Sequence, residues 1–197
     1  FCLAAAGDAC AAEDFGDAIA LGCVCAHVTR HRAIRGLAKA SLIGPCDGMS
    51  FRSYMDRALD AATAAAARGE VPVGAVIVDP AGQVVAVAGN RTREMCDPTG
   101  HAEILAIREA CAAAGSERLV GHDLYVTLEP CAMCAAAIAA ARIGRLYYGA
   151  SDPKSGGVAQ GARVFSHPQS HHAPEVYDGI AATEAEAMLK AFFAARR

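Results

Sequence analysis

The chain has no apolar run that reaches the ~20 residues needed to cross a bilayer, which argues against a membrane-spanning helix and for a soluble protein without a membrane partner. It has no excess of positive charge either. Eighteen Lys and Arg against 21 Asp and Glu leave a formal charge of -3, so a nucleic-acid partner would have to be held by a local basic patch. Nor do the cysteines form a paired set: nine is an odd number, and five of them (Cys2, Cys10, Cys23, Cys25, Cys46) precede Met49. Disulfide scaffolds compensate for a core too small to hold a fold, whereas 197 residues at 54% hydrophobic content can bury one substantial core. Metal ligation or free thiols are the readings left.

Residues 1–48 lack sustained periodicity and carry no pattern with chemistry in it. A secretory signal would need basic residues before its apolar stretch, yet Asp8, Glu13, Asp14 and Asp17 precede Ala18 to Val24. We expect Met49 to be the true start, with 1–48 a disordered extension or an upstream translation and 49–197 the working domain.

From Ser50 the pattern sharpens. Tyr54, Ala58, Ala61, Ala62 and Ala65 recur at helical spacing until Arg68-Gly69. Val71 to Val78 is β-branched and apolar, Asp79-Pro-Ala-Gly82 supplies a turn, and Val84 to Ala88 returns as a second strand. Helices are expected over His101–Ala114 and Pro130–Ala141, and strands over Leu124–Leu128 and Leu146–Gly149. Residues 151–182 read as a loop, and a last helix runs from Thr183 to Arg197 with Thr183 and Glu186 as its capping box. Strands alternating with helices predict an α/β fold of three layers, α/β/α, whose sheet is mixed: an antiparallel opening pair, then parallel strands.

Two short motifs carry the chemistry, His101-Ala-Glu103 and Pro130-Cys131-Ala-Met-Cys134, each at a predicted helix start. Cysteines three apart at a helix start lie on one face, where unpaired N–H groups favour thiolate. His101 from the other helix completes a set of three metal ligands. Structural zinc takes four protein ligands, whereas three leave a position for water, which makes the site catalytic. Glu103, two residues beyond a ligand, is placed to move protons without coordinating. The combination of His-x-Glu with Pro-Cys-x-x-Cys is the signature of zinc deaminases acting on nucleobases. Cys96 and Cys111 are read as ordinary thiols and His122 as a loop residue. His167, His171 and His172 lack a ligand pattern and are read as polar loop groups.

Beyond these motifs the chain resembles the bacterial tRNA-specific adenosine deaminases over about residues 49–197. The likeness lies in Glu70-Val-Pro-Val-Gly-Ala-Val76, Asn90-Arg91, Asp97-Pro-Thr-Gly-His-Ala-Glu103, Tyr125-Val-Thr-Leu-Glu-Pro-Cys-Ala-Met-Cys134, Arg142-Ile-Gly-Arg145, Gly149-Ala-Ser-Asp-Pro-Lys-Ser-Gly156, Phe192-Phe193 and Arg196-Arg197. The resemblance implies the cytidine-deaminase-like fold, one zinc ion per subunit, and a cytoplasmic homodimer. The implied reaction converts adenosine to inosine at the wobble position of a tRNA, with the anticodon stem-loop as partner. It also implies roles for matching positions: Asn90 near the target nucleoside, Val73 and Leu128 at the pocket wall, and the backbone N–H groups of Ala102 and Cys131 near the base. Asp152 and Lys154 would lie beside the RNA backbone, with Phe193, Arg196 and Arg197 of the last helix over the anticodon loop. Adjacent Phe192 and Phe193 cannot point the same way on a helix, so one is expected in the core and the other in the substrate groove. One segment departs: His171-His172-Ala173-Pro174 stands where the family pattern has an Asn-His pair followed by a basic residue.

Two other functions compete with this reading. One is a deaminase of a free base or nucleoside, of guanine or cytosine type. The other is a silent zinc-binding partner subunit, for which Glu103 would have no use.

Overall fold

A computed structural model of the protein describes residues 54–196. The expectation for residues 1–48 lies outside them. The elements run α1 (Tyr54–Ala67), β1 (Gly74–Val78), β2 (Val84–Gly89), α2 (Ala102–Ala114), β3 (Asp123–Leu128), α3 (Ala132–Ala140), β4 (Arg145–Ala150), β5 (Glu175–Tyr177) and α4 (Ala182–Ala194).

The strands form one sheet in the order β2-β1-β3-β4-β5. β1 pairs antiparallel with β2 and β3, while β3–β4 and β4–β5 are parallel, so the mixed sheet expected from the sequence is present. α1 and α4 cover one face, and α2, with α3 beside it, covers the other. Alternation along β1 explains how both faces are filled. Ala75 and Ile77 join Ala102, Ala106, Ile107 and Ile138 in the larger core, whereas Val76 and Val78 turn to Met55 and Ala58 of α1. Side chains as fully buried as Ile77, Leu124 and Ile138 contribute about 1.5–3 kcal/mol each. α1 lies so close to β1 that a Cβ at Gly74 would stand 2.0 Å from the Ala58 carbonyl oxygen, so only glycine fits there.

Three expectations need correction. Residues 151–182 are not all loop, because Glu175–Tyr177 adds a fifth strand at the sheet edge. Its three residues are exposed and too few to show a strand pattern. The capping box at Thr183 and Glu186 is absent: α4 starts at Ala182 from Ala181 in the left-handed region (φ 56), so Thr183 falls inside the first turn and no side chain caps the helix. Pro130 likewise precedes α3 rather than opening it, since Cys131 is the residue at the N-cap.

Candidate metal centre

The two helix starts meet where β3 ends. Cys131 has extended backbone (φ -68, ψ 172) and N-caps α3, and His101 does the same for α2 (φ -74, ψ 151). Neither side chain caps its own helix, which leaves the imidazole and the thiol to face each other. His101 Nδ1 lies 3.7 Å from Cys131 Sγ and 3.5 Å from Cys134 Sγ. The three ligand atoms fall within 4.8 Å of one another. Donors on a tetrahedron with Zn–S of about 2.3 Å and Zn–N of about 2.0–2.1 Å stand about 3.6 Å apart, so the set fits zinc closely. Among the described residues no other such group of His, Cys, Asp and Glu occurs.

The electrostatics match a metal-binding role. The Cys134 thiol and the His101 imidazole beside it pull the Cys131 thiol down to about 4, and Cys131 in turn raises the imidazole. Cys134 is shifted up by its Cys131 neighbour and by burial, so of the two thiols it is Cys131 that is thiolate at neutral pH, the form that ligates metal. Glu103 sits in the first turn of α2, 3% exposed, and burial pushes its carboxyl up.

His101, Glu103 and Cys131 open onto a cavity of about 190 Å³. Val73, Asn90 and Leu128, which the resemblance put at the nucleoside, line it with Asp152, which the resemblance put beside the RNA backbone, and with Val71, Thr92, Glu129 and Ser155, for which no role was expected. Ala102 has its side chain in the core, leaving only its backbone available to a ligand. Lys154, Phe193 and Arg196 do not reach this cavity; they line a groove of about 640 Å³ along α4. Phe193 is 49% exposed there. Phe192, however, does not anchor the core: it is half-buried with the Arg196 guanidinium 3.6 Å above its ring. Arg197 lies outside the described residues. His167 and His171 line a third cavity of about 570 Å³ against α3, and His172 Nε2 meets the Ile143 carbonyl, so this loop is tied away from the metal centre.

Sequence reasoning assigned no role to two buried carboxylates. Glu70 is 1% exposed; Oε1 accepts from the backbone N–H groups of Arg93 (2.9 Å) and Glu94 (2.8 Å), and Oε2 from Asn90 Nδ2 and Thr92 Oγ1 (both 3.2 Å). Burial alone would raise this carboxyl, but the hydrogen bonds outweigh it and hold it below the ordinary carboxylate value. They also fix the Asn90 amide, nitrogen toward Glu70. Glu129, 2% exposed, does the same for residues 151–160. A charged residue at the edge of an apolar run was the available signal for both.

Donors of this kind, opening onto a cavity that also holds a buried carboxylate, make the protein a zinc-dependent hydrolase of the deaminase class. Residues 49–150 match the family of the cytidine and deoxycytidylate deaminase zinc-binding region. The chain is 59% identical over 144 residues to a tRNA-specific adenosine deaminase of Agrobacterium fabrum, spanning 73% of this chain and 94% of that one. It also resembles a solved structure from a study of A-to-I editing by tRNA:A34 deaminases, with 60% identity and a TM-score of 0.68 over 69% of this chain and 98% of the other. A guanine deaminase from Bacillus subtilis is more distant, at 30% identity and a TM-score of 0.52 over 74% and 95% of the two chains. The chain belongs to the tRNA-specific adenosine deaminases within the zinc-binding deaminase family.

Proposed function

We propose that the protein deaminates adenosine to inosine at the wobble position of a tRNA, and that its working domain spans residues 49–197. The observation that carries this reading is the course of one loop: Asp152 and Ser155 wall the small cavity, while Lys154 between them lines the groove with Phe193 and Arg196. A cavity for one extruded base thus adjoins a groove with an aromatic side chain and cations for the neighbouring nucleotides.

His101, Cys131 and Cys134 would hold zinc, which when bound would supply a Lewis acid that lowers the pKa of water to about 7. Glu103 takes a proton from the attacking water and delivers it to the ring nitrogen of adenine as the amine-bearing carbon becomes tetrahedral. The second water proton then goes to the amino group through the same carboxylate, the carbon–nitrogen bond breaks, and inosine and ammonia leave. Asn90, Val73 and Leu128 position the nucleoside, and the N–H groups of Ala102 and Cys131 at the two helix starts lie beside the base. Asp152, Lys154, Phe193, Arg196 and Arg197 contact the RNA.

We assign the chain to the cytoplasm as a homodimer. Support for the dimer comes from α3, whose exposed Ala136 and Ala140 form part of the floor of the 570 Å³ cavity; equilibrium sedimentation tests it. Among the described residues no helix is long and apolar enough to cross a membrane.

The deciding experiment measures deamination of an anticodon stem-loop, free adenosine, guanine and cytosine. The stem-loop should react far faster, because its flanking nucleotides supply binding energy that positions the target base. Equal rates on stem-loop and free adenosine, or preference for guanine or cytosine, would replace this reading with a free-base or nucleoside deaminase.

A further inference from the structure

Glu129 lies between β3 and Cys131, and its carboxylate is the hub of the segment that follows β4. Oε2 accepts from Ser151 Oγ (3.1 Å) and the Asp152 N–H (3.0 Å). Oε1 accepts from three successive N–H groups, those of Val158 (3.2 Å), Ala159 (2.9 Å) and Gln160 (2.9 Å). Both ends of the segment 151–160 are therefore gathered onto one side chain. Its middle is pressed against the same group: a Cβ at Gly156 would stand 2.6 Å from Glu129 Cδ and Oε1. The Gly157 N–H donates to the Pro130 carbonyl at 2.8 Å, and Gly156 bridges Cys131.

The other bonds of this stretch are mostly internal: Asp152 accepts from the Lys154 and Ser155 N–H groups on Oδ1 and from the Gly156 N–H on its carbonyl, and the Gly157 carbonyl accepts from Val164. The stretch forms no helix or strand, and Ser151, Pro153, Lys154, Ser155, Ala159 and Gln160 are exposed. Yet Asp152 and Ser155 within it form one wall of the cavity beside the metal centre. Five bonds to a 2% exposed carboxylate are a large share of what holds that wall, because a buried charged acceptor binds its donors more strongly than a neutral one.

We propose that Glu129 is a positioning residue: it holds residues 151–160 as a preformed wall of the substrate cavity and thereby sets substrate affinity, leaving the chemical step to Glu103. The proposal rests on the reading of that cavity as the nucleoside site. A free wall must be ordered when substrate binds, so loosening it raises KM rather than lowering kcat. Glu129→Gln keeps the shape of the side chain but turns an NH2 group toward at least two of the five donors.

The test uses the zinc-loaded wild-type enzyme, Glu129→Gln and Ser151→Ala, which removes one of the five bonds. Glu129→Gln should raise KM for the anticodon stem-loop by about tenfold or more, with kcat within about threefold and zinc content unchanged. Amide hydrogen exchange should accelerate at Asp152 and at residues 158–160 but not in α2 or α3. Ser151→Ala should shift both readouts in the same direction and by less, and it decides the matter should Glu129→Gln fail to fold. Unchanged exchange in the segment would overturn the proposal, as would faster exchange with unchanged KM, or a collapse of kcat at constant KM. If the wild-type enzyme proved to accept only free bases, the functional reading alone would fall. The KM and exchange measurements, made on the base it accepts, would still decide the role of Glu129.

Discussion

Replacing Glu103 by Gln tests its proposed role as proton carrier apart from everything around it. The side chain is 3% exposed in the first turn of α2, and Gln has the same shape, so fold and packing should survive. The ligands His101, Cys131 and Cys134 are untouched, so zinc content should stay at about one per chain. What is lost is a group that accepts and returns protons at two stages. General acid–base groups contribute about 100- to 10,000-fold, equivalent to about 2.7–5.5 kcal/mol of barrier at 1.36 kcal/mol per decade. With two transfers resting on one carboxylate so poorly open to solvent, the loss should fall at the upper end. Single-turnover inosine formation on the anticodon stem-loop, measured beside zinc content and stem-loop affinity, gives the answer. A variant that kept its zinc and turned over within about tenfold of wild type would refute the assignment, because no proton carrier in the transition state is worth so little.

Cys134→Ala should lose zinc and activity together, because two donors hold the ion poorly; full metal content by elemental analysis would contradict the ligand set. Glu70→Gln should cost about 1–3 kcal/mol at neutral pH, since an amide cannot accept all four of the bonds Glu70 receives. The folded-state pKa of Glu70 lies below its ordinary value. Its contribution is therefore present above the unfolded value of about 4.3 and lost as pH falls through the folded one, so thermal melts of variant and wild type should converge in acid. A gap that stayed constant into strong acid would contradict this. Arg196→Ala with Arg197→Ala should weaken stem-loop binding and flatten its salt dependence while zinc stays bound, as read by titrations at several salt concentrations.

The sequence alone marked out the three grouped ligand candidates and Glu103 beside them, because both depend on spacing within one helical turn. His101 and Glu103 are two residues apart, Cys131 and Cys134 three, and each pair opens a helix whose start is written in its neighbours. Layers and sheet type followed from the alternation of apolar strands and alanine-rich helices. Other features depended on groups distant in the chain. Glu129 is bonded to residues as far on as Gln160, and Glu70 to residues 90–94; a carboxylate in an apolar run gives no sign of which N–H groups will reach it. β5 exists because the exposed segment Glu175–Tyr177 meets the free edge of β4, and no periodicity of its own announces it. Phe192 was expected in the core because helical periodicity separates it from Phe193. Periodicity sets direction but not depth, and only the packed structure shows Arg196 lying over that ring. The division follows the range of the forces involved: ligand spacing and helix starts are local, whereas the burial of a charge is settled by the backbone that closes over it.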